Sequence, residues 1–160
     1  MQQSSKAALT IAGVIVVALI LFFVLHQPQP SDQEQIVAQM DAARSAATHH
    51  DTSGIMKVIS ADYKGQTPAD GNVDELHLLL SRSLGKAGAL DVTLTPPAIT
   101  VQGDTATSRS HLTVRTREDG MTRYDSDVTL HWKREDGTRL LVFPAKVWRI
   151  VSADFPAPGE

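Results

Sequence analysis

Cysteine is absent from the 160 residues. That excludes disulfides, a thiol nucleophile, thiolate metal sites and a lipidated cysteine, and it leaves a chain able to fold in either redox setting. An excess of positive charge is absent too: 15 Lys and Arg stand against 18 Asp and Glu, for a formal charge of −3. Beyond Lys6 the cations are interleaved with more numerous acids, whereas a nucleic-acid binder carries a basic face or stripe. Nucleic acid and anionic lipid are therefore poor partners. The chain also lacks a phosphate-cradling glycine loop, a metal-spaced set of His and Asp, and a nucleophile elbow, so no cofactor and no metal is expected.

What is present begins with a long apolar run. Ala7–Leu25, AALTIAGVIVVALILFFVL, carries no charge, and at ~1.5 Å per residue a helix of that length crosses a hydrocarbon core of ~30 Å. The run ends in bulky Leu21, Phe22, Phe23, Val24 and Leu25 with no small-x-small pattern after it, which favours an uncleaved anchor over a signal peptide. Lys6 precedes the run, Asp32 and Glu34 are the first charges after it, and no Lys or Arg follows until Arg44. The positive-inside rule then leaves the N-terminus in the cytoplasm and the soluble domain on the periplasmic or extracellular side. The expected organisation is a head over 1–6, a transmembrane helix over 7–25, a linker over 26–31, one soluble domain over 32–154 and a tail over 155–160.

Ser31 and Glu34 form a capping box before Ile36, Val37, Met40, Ala43 and Ala47, so a helix is expected over Asp32–Thr48. The neighbouring His49, His50 and Asp51 suit a helix C-terminus better than a metal site, since adjacent helical residues point apart. Asp51 or Thr52 caps a second helix through Ile55, Met56, Val58 and Ile59, ending at Ser60. A turn over Ala61–Gly65 follows, and Asp62 and Tyr63 are the first residues placed to line a pocket. Asn72 with Glu75 starts a third helix, with Leu76, Leu79, Leu80, Leu84 and Ala87 as its stripe, His77 at the stripe's edge and Gly85 or Gly88 at its end.

From Leu90 the apolar period falls to 2. Strands are expected around Leu90–Leu94, Ile99–Val101, Ala106–Thr116, Thr122–Lys133 and Arg139–Ser152, with Pro96–Pro97 as a break. Arg117-Glu118-Asp119-Gly120 and Arg134-Glu135-Asp136-Gly137 repeat one tetrapeptide, and Asp-Gly between alternating segments reads as a hairpin turn in both places. The result is an antiparallel meander.

Alternation assigns the faces. Ser108, Ser110, Leu112 and Val114 share the inward face with Tyr124, Ser126, Val128, Leu130 and Trp132. The outward face is a ladder of Arg109, His111, Thr113 and Arg115 against Arg123, Asp125, Asp127, Thr129 and His131, a pattern that cross-strand ion pairs explain. Small polar Ser108, Ser110 and Ser126 on the inner face leave room, which Tyr124, Trp132 and Trp148 would wall. Either a partly polar pocket lies there or the serines bond locally beneath the first helix.

Three helices followed by a twisted meander with a Trp-containing last strand resemble the NTF2-like (SnoaL-like) superfamily. The resemblance is carried by Asp51-Thr52-Ser53-Gly54-Ile55-Met56 leading to Ile59-Ser60-Ala61-Asp62-Tyr63. Ile99-Thr100-Val101-Gln102-Gly103-Asp104-Thr105-Ala106 and Val147-Trp148-Arg149-Ile150-Val151 add to it. It implies an α+β cone, three helices packed on a curved antiparallel sheet, with a cavity at the wide end and often a dimer through the sheet. The superfamily holds ketosteroid isomerases, dehydratases and cyclases beside non-catalytic transport and assembly modules. Its enzymes place a carboxylate, tyrosine or histidine in the cavity. Here the central strands send no carboxylate or histidine inward, and Asp62 with Tyr63 and Tyr124 is the candidate constellation, a base beside an oxyanion-stabilising hydroxyl. The expectation is a membrane-anchored, non-catalytic binding or assembly module of the cell envelope, engaging a protein partner, a second copy or a small apolar ligand. The alternative is a cofactor-independent isomerase or lyase using Asp62 and the tyrosines.

Overall fold

A computed structural model describes residues 30–66, 71–139 and 143–156. The chain divides into two units after Pro30, and the second is described below. Among the described residues no helix is long and apolar enough to cross a membrane. The segment Ala7–Leu25, where the span is expected, lies outside them.

Helix α1 (Asp32–Thr48) starts at the expected capping box: Glu34 N–H donates to Ser31 Oγ at 3.3 Å, and Ser31 N–H donates to Glu34 Oε2 at 2.7 Å. These bonds to Ser31 hold the Glu34 carboxyl below its ordinary pKa. Ile36, Met40 and Ala46 are buried, while Val37, expected on the same stripe, is 36% exposed. The helix ends in a left-handed residue, His50 at φ 56°. His50 N–H donates to Ala47 O at 3.1 Å and Asp51 N–H to Ala46 O at 2.8 Å, a Schellman closure with histidine where glycine is usual.

Helix α2 (Thr52–Met56) is capped by Asp51, whose Oδ1 accepts from Gly54 N–H at 2.9 Å. It is shorter than expected because Val58 and Ile59 leave it to join the sheet. Ile150 N–H donates to Val58 O, Ser60 N–H to Ile150 O and Lys64 N–H to Val151 O, each at 2.9 Å. Helix α3 (Val73–Lys86) has its own capping box at Asn72 and Glu75 and buries Leu76 and Leu84; it runs through Gly85, and Leu79 is 40% exposed.

The sheet holds five strands, β1 (Leu90–Leu94), β2 (Ala98–Gln102), β3 (Thr105–Thr116), β4 (Thr122–Arg139) and β5 (Phe143–Asp154). All pairings are antiparallel, and β1 and β2 lie end to end along β3. Leu94 pairs with Leu112 and Ala98 with Arg109, so one extra residue sits at the Pro96–Pro97 break. Further register shifts fall at Val114/Arg115 and His131/Trp132. Bulges raise local twist, and three along one sheet curl it around α1. Ile36, Met40, Val58, Tyr63, Trp132, Trp148 and Ile150 fill the concave side.

The two Asp-Gly segments part ways. Gly120 takes φ 66° in the β3–β4 turn, as expected. Gly137 does not turn: β4 continues through it to Arg139, with Asp136 opposite Lys146 and Gly137 opposite Ala145. A Cβ at Gly137 would lie 2.8 Å from Val147 Cγ2, so the missing side chain lets β5 close over β4. Beyond Lys133 the two strands form an arm that extends past the end of β3.

Candidate functional site

On the concave face, β3 and β4 pair in phase, Ser108 with Leu130, Ser110 with Val128 and Leu112 with Ser126. Ser108 is fully buried and its Oγ accepts from Trp132 Nε1–H at 2.8 Å. Trp132 and Trp148, each 1% exposed, are core residues and not the walls of an open pocket. Ser110 is 4% exposed and its Oγ finds no partner among the described residues. A lone buried hydroxyl costs about 1–3 kcal/mol. Ser126 is half-buried and bonds Tyr124, whose phenol is pushed up by burial, with the Ser126 bond opposing.

Tyr124 does not face Asp62. Its Oη donates to Pro156 O at 3.2 Å and its ring meets Phe155 edge-on at 6.2 Å. Asp62 lies in a surface turn: its side chain is 76% exposed, 3.7 Å from Lys133 Nζ, and its N–H donates to Ser60 Oγ at 2.9 Å. Tyr124 and Lys133 are nine positions apart on β4, ~30 Å along a strand. Tyr63, 3% exposed, is buried in the core. The three candidate acid–base residues thus occupy three environments.

The described histidines do not gather at one site, and the buried Nε2 of His50 has no partner among the described residues. His49 Nδ1 lies 2.8 Å from Ser45 O, and His50 ends α1. His77 is exposed on α3. On the convex face His111 bridges Asp127 at 2.9 Å and Asp125 at 3.1 Å, while Thr113 Oγ1 donates to Asp125 at 2.7 Å. Hydrogen bonds to Asp127 and then Asp125 raise the His111 pKa; Asp125 is lowered, first by Thr113 and then by His111. His131 meets Asp154 at 3.2 Å. On this face His111 and His131 thus make cross-strand pairs, with Asp125 and Asp127 and with Asp154.

Sequence reasoning missed a cluster where the arm meets α1. Arg134 pairs with Asp32, lies 4.8 Å over the Trp148 ring and approaches Asp104 at 3.8 Å. Trp148 Nε1–H donates to the same Asp32 at 3.2 Å. The signal was present: the inward alternation Val128, Leu130, Trp132 places Arg134 next. Beside it, Ser60 Oγ–H donates to Glu135 at 2.5 Å, and Arg149 lies 3.6 Å from Glu135. Ser60, Asp62, Lys133, Glu135 and Lys146 border a cleft of about 290 Å³. Its ionic groups are matched within the chain, Lys133 by Asp62 and Lys146 by Asp136.

No protein-family model matches the chain, and no curated protein sequence matches it. Solved structures do. An NTF2-like protein of unknown function from Pseudomonas putida KT2440 is similar at a TM-score of 0.66 and 15% identity, over 80% of this chain and 87% of that one. An NTF2-like superfamily protein from Salmonella enterica serovar Typhimurium gives 0.61 at 19% identity, over 80% and 92%. An NTF2-like protein with a cystatin-like fold from Novosphingobium aromaticivorans gives 0.58 at 20% identity, over 86% and 84%. The fold is NTF2-like.

Proposed function

We propose that this NTF2-like fold serves binding or assembly and not catalysis, tethered by Ala7–Leu25 in the cell envelope with its domain on the periplasmic or extracellular side. There it engages a protein partner or a small apolar ligand. The observation that carries the reading is the dispersal of the acid–base groups, Asp62 against Lys133 at one end of β4 and Tyr124 against Pro156 at the other. An isomerase or lyase needs its base and oxyanion donor within hydrogen-bond reach of one substrate, so the same dispersal weighs against that alternative. Fold alone is neutral between the two.

Amine-reactive cross-linking in intact membranes tests the proposal, through exposed Lys57, Lys64 and Lys133. The expected result is a discrete adduct with a neighbouring protein, unchanged by Asp62→Asn. A purely monomeric species overturns the assembly role. A C-terminal fusion reporter active only in the cytoplasm overturns the orientation.

A further inference from the structure

The convex face carries a groove that the proposed role does not use. Arg109, Thr129 and Asp154 form one row across β3, β4 and β5. With Asp127 and the segment Phe155–Pro156 they border about 570 Å³, inside the range of small-molecule sites. The acids there are engaged. Asp127 meets His111 at 2.9 Å, and Asp154 meets His131 at 3.2 Å and accepts from Gln66. Arg109 is different: it is exposed and its side chain takes part in no ion pair or hydrogen bond among the described residues. Phe155, 51% exposed, is held from behind by the Tyr124 ring, while the Tyr124 hydroxyl fastens Pro156 at 3.2 Å.

We propose that this groove binds a small carboxylate with a planar apolar body, of the benzoate class, with Arg109 taking the carboxylate and Phe155 and Pro156 covering the ring. A guanidinium matches a carboxylate in two parallel hydrogen bonds, and an aromatic edge or face accommodates a second ring at 4.5–7 Å. Carboxylate binding here requires neither the tether nor a protein partner, so it survives or fails independently of the assembly role. It also makes Tyr124 a positioning residue for the groove wall.

The groove's charge depends on pH. Facing it or its acids are Arg109 and His111 from β3, Asp125, Asp127 and His131 from β4, Asp154 from β5 and Gln66 from the loop after α2. Protonated His111 offsets one of the two carboxylates it bridges, Asp125 and Asp127, beside Arg109. Loss of that proton makes the surroundings more negative, so carboxylate binding weakens as pH rises through the raised His111 pKa.

The probe is 4-fluorobenzoate, followed by fluorine NMR on the full chain in a zwitterionic detergent, with 4-fluorobenzamide as the uncharged control. Saturable binding of the acid is expected, weaker at pH 8 than at pH 6, with the amide at least tenfold weaker. Arg109→Gln should weaken the acid about tenfold or more, the scale of a charge-assisted bond, and Arg109→Lys should restore part of the loss. Phe155→Ala, which lies outside every strand, should weaken acid and amide alike. Equal binding of acid and amide, wild-type affinity in Arg109→Gln or in Phe155→Ala, or no saturable binding overturns the proposal.

Discussion

The tetrapeptide Arg-Glu-Asp-Gly occurs at Arg117–Gly120 and again at Arg134–Gly137, and it folds in two different ways. In the first copy Asp119 organises a turn. It accepts from Thr116 Oγ1 and from Met121 N–H at 2.9 Å and pairs with Arg123 at 3.3 Å, while Gly120 supplies the positive φ. In the second copy the arginine does the structural work. Arg134 continues the inward alternation below Trp132 and is gripped by Asp32 and the Trp148 ring, so the strand has to run on. A local Asp-Gly preference is worth about 1 kcal/mol at most and loses to a clasp with several partners plus further ladder bonds. Identical letters take their structure from what lies across the sheet.

Breaking the contrast gives the largest expected effect at the arginines. Arg134→Ala should destabilise by about 2–3 kcal/mol, because it strips the partner from Asp32 and uncovers Trp148. Arg117→Ala, on an exposed residue, should stay within about 0.5 kcal/mol. Urea unfolding of both variants measures the gap, and equal midpoints would erase the distinction. The glycines come next. Gly137→Ala should cost about 1–2 kcal/mol through the 2.8 Å approach to Val147, with part regained in the double variant with Val147→Ala. Gly120→Ala has open space and should cost about 1 kcal/mol through its φ alone, with no rescue from a neighbour.

The aspartates differ least. Asp119 is held below its usual pKa, first by Thr116 and then by Met121 N–H and Arg123. Its contribution is present above the unfolded carboxylate value of ~3.9 and is lost as pH falls through the lowered folded value. The advantage of wild type over Asp119→Asn should therefore shrink below that range. Asp136→Asn, on a side chain 90% exposed, should stay within about 0.5 kcal/mol of wild type at neutral pH.

The same contrast separates what was legible in the sequence from what was not. Helix α1 and both capping boxes could be read because cap and stripe lie within a few residues of each other. The in-phase pairing of β3 and β4 followed from alternation around a short turn. Three features had no local trace. Val58 and Ile59 have the spacing of a helix continuation, yet the edge of β5 claims them. His50 occupies a left-handed position that glycine normally marks. Trp132 and Trp148 were placed as pocket walls because alternation gives a face but not a depth, and their indole N–H groups are taken up by Ser108 and Asp32. Asp62, Tyr63 and Tyr124 looked like a set only because chain order does not reveal which end of β4 each one reaches.

The hold of Arg134 and Trp148 on Asp32 also has a mechanical reading. Asp32 is the first residue of α1 and lies two positions after Pro30, where the preceding segment joins. Tension entering the domain along the backbone meets a side-chain clasp to the sheet before it reaches the first helical turn. Part of the load is then shared with β4 through Arg134 and with β5 through Trp148, beside the helix's own hydrogen bonds. A chain pulled from its N-terminus should therefore yield late and all at once in single-molecule stretching, and Asp32→Ala should turn that event into gradual unravelling from Ser31.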